Sequence, residues 1–113
     1  MKLKNQEIKN IVYAIESLGN RVNDIQLRFD LAKKTKVLME ENKQIDKSVN
    51  DIIKERNEKD SSVTSINIFD DEYVALMDYD NEIEFDGLKL SYLSQFNPSM
   101  EELLALEKII VDR

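Results

Sequence analysis

Apolar residues recur at helical spacing at Ile8, Ile11, Val12, Ile15 and Leu18, just after an asparagine, Asn5, that suits an N-cap. Lys2-Leu3-Lys4 before them reads as a short extended start. Gly19-Asn20 behind them reads as a stop, because glycine takes the left-handed conformation beyond a helix end at little cost. The pattern predicts a helix over 5–18. Residues 22–31 carry two signals. Ile25, Leu27, Phe29 and Leu31 alternate as in a strand, whereas Ile25, Phe29 and Ala32 share a helical face. The helical reading, starting near Asp24, is favoured.

From about 30 to 57 there is no glycine or proline, and the chain reads as one long helix. Leu31, Thr35, Leu38, Asn42, Ile45, Val49 and Ile52 alternate at steps of four and three. This is a heptad seam with Thr35, Asn42 and Val49 at a positions and Leu31, Leu38, Ile45 and Ile52 at d. The seam can pack on helix 5–18 within one chain. The alternative is self-association, with Leu38, Asn42, Ile45 and Val49 as the contact residues, making the protein a homo-oligomer.

The second half is more broken. Residues 57–65 are polar and read as a linker, Ser65–Phe69 as a short strand, and Asp70–Tyr79 as a short helix started by a carboxylate. Glu82-Ile83-Glu84-Phe85 and Leu88-Lys89-Leu90-Ser91 flank Asp86-Gly87, which predicts a two-residue hairpin with Phe85 facing Leu88 and Ile83 facing Leu90. Such a hairpin is marginal alone, so its apolar face must pack on helices. After the Asn97-Pro98 turn, Ser99 and Glu102 have capping-box spacing, which predicts a closing helix over Ser99–Asp112. Eight of its residues from 100 to 111 are apolar, so it lies in the core or partly meets a partner. The expected fold is α+β and mainly α in a single domain, with a helical part over 1–58, the linker, and an acidic α+β part over 66–113.

Composition narrows the function classes. The chain of 113 residues has no cysteine and no histidine, which removes disulfides, thiolate chemistry, zinc sites built on those residues and general acid–base work by histidine. No apolar run approaches the ~20 residues of a membrane span, and the first residues lack a signal-peptide stretch, so the expectation is a cytoplasmic protein without membrane contact. Residues 1–60 carry 13 Lys/Arg against 11 Asp/Glu, a net of +2, and residues 61–113 carry 3 against 12, a net of −9. Phosphate contacts dominate nucleic-acid affinity, so this balance argues against direct nucleic-acid binding. Lys33, Lys34 and Lys36 are the one dense basic cluster, and Glu40 and Glu41 follow closely.

Motifs for chemistry are missing or fail. With Asp78 as position 1 of a calcium loop, position 6 is Ile83 where glycine is needed and position 12 is Lys89 where a bidentate glutamate is needed. The carboxylates Asp70, Asp71, Glu72, Asp78 and Asp80 could work in a hydrolytic pair only if an apolar pocket held one of them, and they read better as a solvated face. Only Gly19 and Gly87 are present, so no glycine-rich loop can cradle phosphate. The expectation is a non-enzymatic protein without cofactor or metal. Asp70, Asp71, Glu72, Tyr73, Asp78, Tyr79 and Asp80 are its candidate protein interface, since rings supply contact area and carboxylates steer a basic partner.

Two ends of the chain carry a family likeness. Met1-Lys2-Leu3-Lys4-Asn5-Gln6-Glu7-Ile8, the segment Ile25–Lys34 and the closing stretch Ser99–Ile110 together resemble a family of small uncharacterised tailed-phage and prophage proteins. The Asp-Gly hairpin and a shorter segment after the long helix depart from that family. The resemblance implies a phage source and a virion or assembly role in the host cytoplasm or the virion, with a phage virion protein as partner. It implies no activity. The alternative is an inhibitor of a host defence protein that occupies a basic nucleic-acid or nucleotide site with its acidic face. A carboxylate-dependent enzyme is the third and least supported class.

Overall fold

In helix α1 (Asn5–Arg21), Ile8, Ile11, Val12, Ala14, Ile15 and Leu18 are all buried, an apolar arc wider than a helix lying on a surface can use. The computed structural model describes residues 1–112 and wraps the rest of the chain around this helix. Strand β1 (Lys2–Lys4) leads into α1, followed by α2 (Ile25–Lys34), α3 (Lys36–Lys59), α4 (Asp71–Met77), strand β2 (Asp80–Glu82), α5 (Leu90–Leu93) and α6 (Met100–Leu106). Short 3-10 turns follow α5 and α6. The chain is 67% helical with one two-stranded antiparallel sheet, as expected of a mainly α member of the α+β class.

Helix α1 packs against α2 and α3 with the chain running back along it, since Lys9 near its start meets Asp46 of α3 while Gly19 near its end faces Leu31 of α2. Gly19 does not stop the helix. It keeps helical geometry without positive φ, facing Leu31 with room for ordinary contact, and the helix runs on to Arg21. Asn5 is the first helical residue, one place later than an N-cap. Its buried side-chain amide donates to the Leu76 carbonyl at 2.7 Å and its side-chain oxygen accepts from Asn81 at 2.7 Å. Lys4 takes the cap position, and its amide donates to Glu7 at 2.9 Å.

Residues 25–34 are helical, with the Asp24 carboxylate accepting from the Leu27 amide at 3.1 Å. The long helix is not continuous. Thr35, with φ −110° and ψ 9°, separates α2 from α3, and its hydroxyl donates to the Leu31 carbonyl at 2.7 Å. That carbonyl also accepts the Thr35 amide, and such back-bonding by threonine bends helices. Beyond the bend α3 runs straight to Lys59, two residues past the expected end.

Three further expectations are corrected. Ser65–Phe69 forms no strand. The Asn67 side chain accepts from the Phe69 amide at 2.8 Å, and this local turn competes with extended pairing. The Asp86-Gly87 hairpin does not form either. A tight type I′ turn needs positive φ at both residues, and only Gly87 has it, at 91°. Both arms pair with distant segments instead. The Ile83 amide donates to the Met1 carbonyl at 2.8 Å, β2 pairs with β1, and Leu88 forms a parallel bridge with Ile110. This buries Ile83 and Leu88 against the core, which an isolated hairpin could not do, while Leu90 starts α5. The closing helix ends at Leu106, and a 3-10 turn over Glu107–Ile109 then frees Ile110 to pair with Leu88. Its apolar arc divides accordingly. Leu106 and Ile109 are buried, whereas Met100 and Leu104 face outward.

Gly87 is the tightest point of this arrangement. A Cβ there would lie 2.2 Å from a Val111 methyl and 2.6 Å from the Ile109 carbonyl oxygen, at a φ that side chains rarely adopt. Gly87→Ala is expected to destabilise the fold by about 3 kcal/mol, from strain and overpacking together. Gly19→Ala is expected to stabilise it by about 0.5 kcal/mol, because the added methyl meets only ordinary contact and removes freedom from the unfolded chain. Urea denaturation of the two variants, with opposite shifts in midpoint, checks both.

Candidate functional site

The acidic residues singled out in the sequence are dispersed by the fold and largely neutralised within the chain. Asp70 caps α4, accepting from the Glu72 amide at 3.0 Å, and Arg56 reaches it from α3 with two bonds of 2.5 and 2.9 Å. The same guanidinium bonds Glu72 at 3.0 Å. At the other end of α4, Asp78 pairs with Lys4 at 2.5 Å, and Asp80 lies 3.9 Å from Lys2. Asp71 is exposed and takes part in no ion pair among the described residues. Tyr73 is half-buried against the core, and Tyr79 is exposed while its carbonyl accepts from the Asn5 amide at 3.0 Å. Among the described residues no group of acidic side chains converges as a metal site would require.

The heptad seam is spent inside the chain. Leu38 and Ile45 are buried against the core, and Val49 is half-buried at its margin. The Asn42 side-chain oxygen is 3.5 Å from the Lys9 ammonium of α1. The intramolecular alternative therefore accounts for Leu38, Asn42, Ile45 and Val49.

Two concavities remain as candidate binding surfaces. The larger, about 860 Å³, lies between the α2–α3 bend and the segment 84–89 with α5. Lys33, Lys34, Lys36 and Glu40 form one wall. Glu84, Asp86 and Lys89 form the other, over a floor that includes Val37, Phe85, Leu88 and Tyr92. The Lys34 ammonium lies 5.2 Å from the centre of the Tyr92 ring, and Lys33 lies 5.0 Å from that of Phe29. Burial pushes the Tyr92 phenol well above the usual tyrosine range, with Asp30 adding in the same direction. The second concavity, about 570 Å³, is an apolar groove between α1 and α2, lined by Ile15, Leu31 and Met39. Ile25 and Phe29 rise on its edge with 76% and 63% of their surface exposed.

An ion pair between the exposed Arg21 and the buried Glu102 fixes the end of α1 to the start of α6. Glu102 accepts two bonds from Arg21, at 2.7 and 2.8 Å, and completes the predicted capping box by accepting the Ser99 amide at 2.8 Å. Burial alone would push its carboxyl up. The Ser99 amide, the Arg21 guanidinium and the Ser17 and Ser99 hydroxyls outweigh burial and bring it down to about 2.

Sequence reasoning missed Arg56 as the partner of Asp70 and Glu72, since it comes from a separate helix without a local signal. Lys2 and Lys4 did carry one. Alternate lysines in an extended start match the alternate acids Asp80 and Glu82, which the antiparallel register sets directly opposite them. No known family model matches the chain, and neither a curated protein nor a solved structure shows significant similarity to it.

Glu102 falls from its ordinary 4.5, and Asp70, held chiefly by Arg56, from 3.8, each to about 2. A carboxyl depressed in the folded state adds stability that is complete above its unfolded pKa and lost as pH falls through its folded one. Thermal stability is therefore expected to drop between pH 4.5 and about 2, and Glu102→Gln to flatten that drop. Calorimetry across that window checks it, and an unchanged slope in the variant would remove the role assigned to Glu102.

Proposed function

We propose that this chain is a non-catalytic, phage-encoded accessory that binds a virion protein as a structural or assembly component. The exposed pair Ile25 and Phe29 beside the α1–α2 groove carries this reading. Two large apolar side chains held outward on a short, well-capped helix suit a protein contact better than bulk solvent. The likeness of the N-terminus, the Ile25–Lys34 segment and the closing stretch to small tailed-phage proteins supports the phage source. It acts in the host cytoplasm or in the virion, and no helix among the described residues is long and apolar enough to cross a membrane. Inhibition of a host defence protein through the acidic face has less support. Its steering charge would come from Asp70, Glu72, Asp78 and Asp80, which Arg56, Lys4 and Lys2 already counter.

The test is capture from phage-infected cells with the tagged protein and with an Ile25→Glu, Phe29→Glu double variant. The tagged protein is expected to retain one virion protein, and the variant to lose at least about tenfold of it, the scale of a buried interface anchor. Unfolding midpoints are expected to agree, because both side chains lie outside the core. Retention of the virion protein by the variant, or its absence from both captures, would remove this reading.

A further inference from the structure

The charges of this acidic protein are informative where they are not already answered. Most acids near α4 are paired internally, whereas Lys33, Lys34 and Lys89 enter no salt bridge among the described residues. Other lysines outside the salt bridges among the described residues, such as Lys43 and Lys47, lie side by side on the exposed face of α3 with no opposing wall. Those at the bend differ in converging. Lys33, Lys34 and Lys36 lie on one wall of the larger of the two concavities described above and Lys89 on the other, over an apolar floor. Lys33 and Lys34 also complement the carbonyl end of α2, but that role needs neither Lys89 nor a floor.

We propose that this cleft receives an extended acidic segment of a partner protein, with its carboxylates toward the lysine wall and an apolar side chain on Phe85 and Tyr92. The inference rests on the protein-binding reading above and names the partner chemistry of a second surface. Charge complementarity selects the occupant. Four lysines face three carboxylates, and with Lys36 and Glu40 engaged with each other at 3.8 Å, Lys33, Lys34 and Lys89 remain against Glu84 and Asp86. Glu84 and Asp86 stand on the far wall on either side of Phe85, where they repel acidic groups and so orient the segment. That wall is rigid. The Leu88 amide donates to the Ile109 carbonyl at 2.7 Å, the Val111 amide donates to the Leu88 carbonyl at 3.1 Å, and Asp112 accepts from the Leu90 amide. A peptide segment suits the floor better than a small anion, since phosphate alone would leave the Val37, Phe85, Leu88 and Tyr92 surfaces unused.

Fluorescence anisotropy on the full chain tests this, using a short labelled peptide of alternating glutamate and leucine. Binding is expected to weaken as salt rises. The double variant Lys34→Glu, Lys89→Glu is expected to weaken it about tenfold or more, and Lys43→Glu, Lys47→Glu to leave it within about twofold, since both make the same charge change. Glu84→Gln is expected to tighten it. Circular dichroism checks that all variants fold, as substitutions at exposed side chains should allow. The inference is overturned if no binding occurs, or if the two double variants lose it equally. It is overturned too if a glutamine–leucine or lysine–leucine peptide binds as well, or if tripolyphosphate displaces the peptide while replacing its leucines with glycine changes nothing. Failure here with virion capture still dependent on Ile25 and Phe29 would remove this cleft alone. Success here with capture insensitive to those residues would remove the apolar-groove reading alone.

Discussion

Burial of the broad apolar arc of α1 is the constraint that the remaining structure serves. A helix that hides Ile8, Ile11, Val12, Ala14, Ile15 and Leu18 needs neighbours on more than one flank, and no single partner helix could supply them. α3 covers one flank, α6 and the turn before it another, and α4 and β1 the start. Each neighbour is then fixed by a polar contact at an end of α1: Asn5 to the end of α4 and to β2, Lys9 to α3, and Arg21 to α6. These contacts set register, while apolar burial provides the drive.

The central helix was legible as a helix but not as the hub. Its arc shows in the spacing of isoleucines, yet the closing stretch from Met100 to Val111 is also rich in apolar residues and looked the better centre. The difference lies in where the chain stops being helical. Ile110 leaves the helix to pair with Leu88, and a β-bridge between residues so far apart has no signature in a local window. The same limit explains the hairpin. Asp86-Gly87 carries a true turn signal, and Gly87 does adopt positive φ, but the arms around it found partners at opposite ends of the chain.

The candidate surfaces divide along the same line. Counting charges along the chain exposed an acidic half, but it could not show that Arg56 reaches back from α3 to answer Asp70 and Glu72. The lysine cluster at 33–36 was visible, yet its opposite wall arises only when residues 109–112 hold the 87–90 stretch in place. Seam residues such as Leu38 and Ile45 were identified correctly as apolar contact positions, and the structure supplies their partner from within the same chain.

The clamp between Leu88 and Ile110 also orders events in time. Contacts between α1 and α3, such as that of Lys9 with Asp46, 37 positions on, can form while the rest of the chain is still being made. The segment 83–90 cannot settle until residues 109–111 have left the ribosome, since these supply the hydrogen bonds of its second arm. A nascent chain would therefore carry α1 and α3 already packed beside a loose acidic flap, which closes once residues 109–111 emerge.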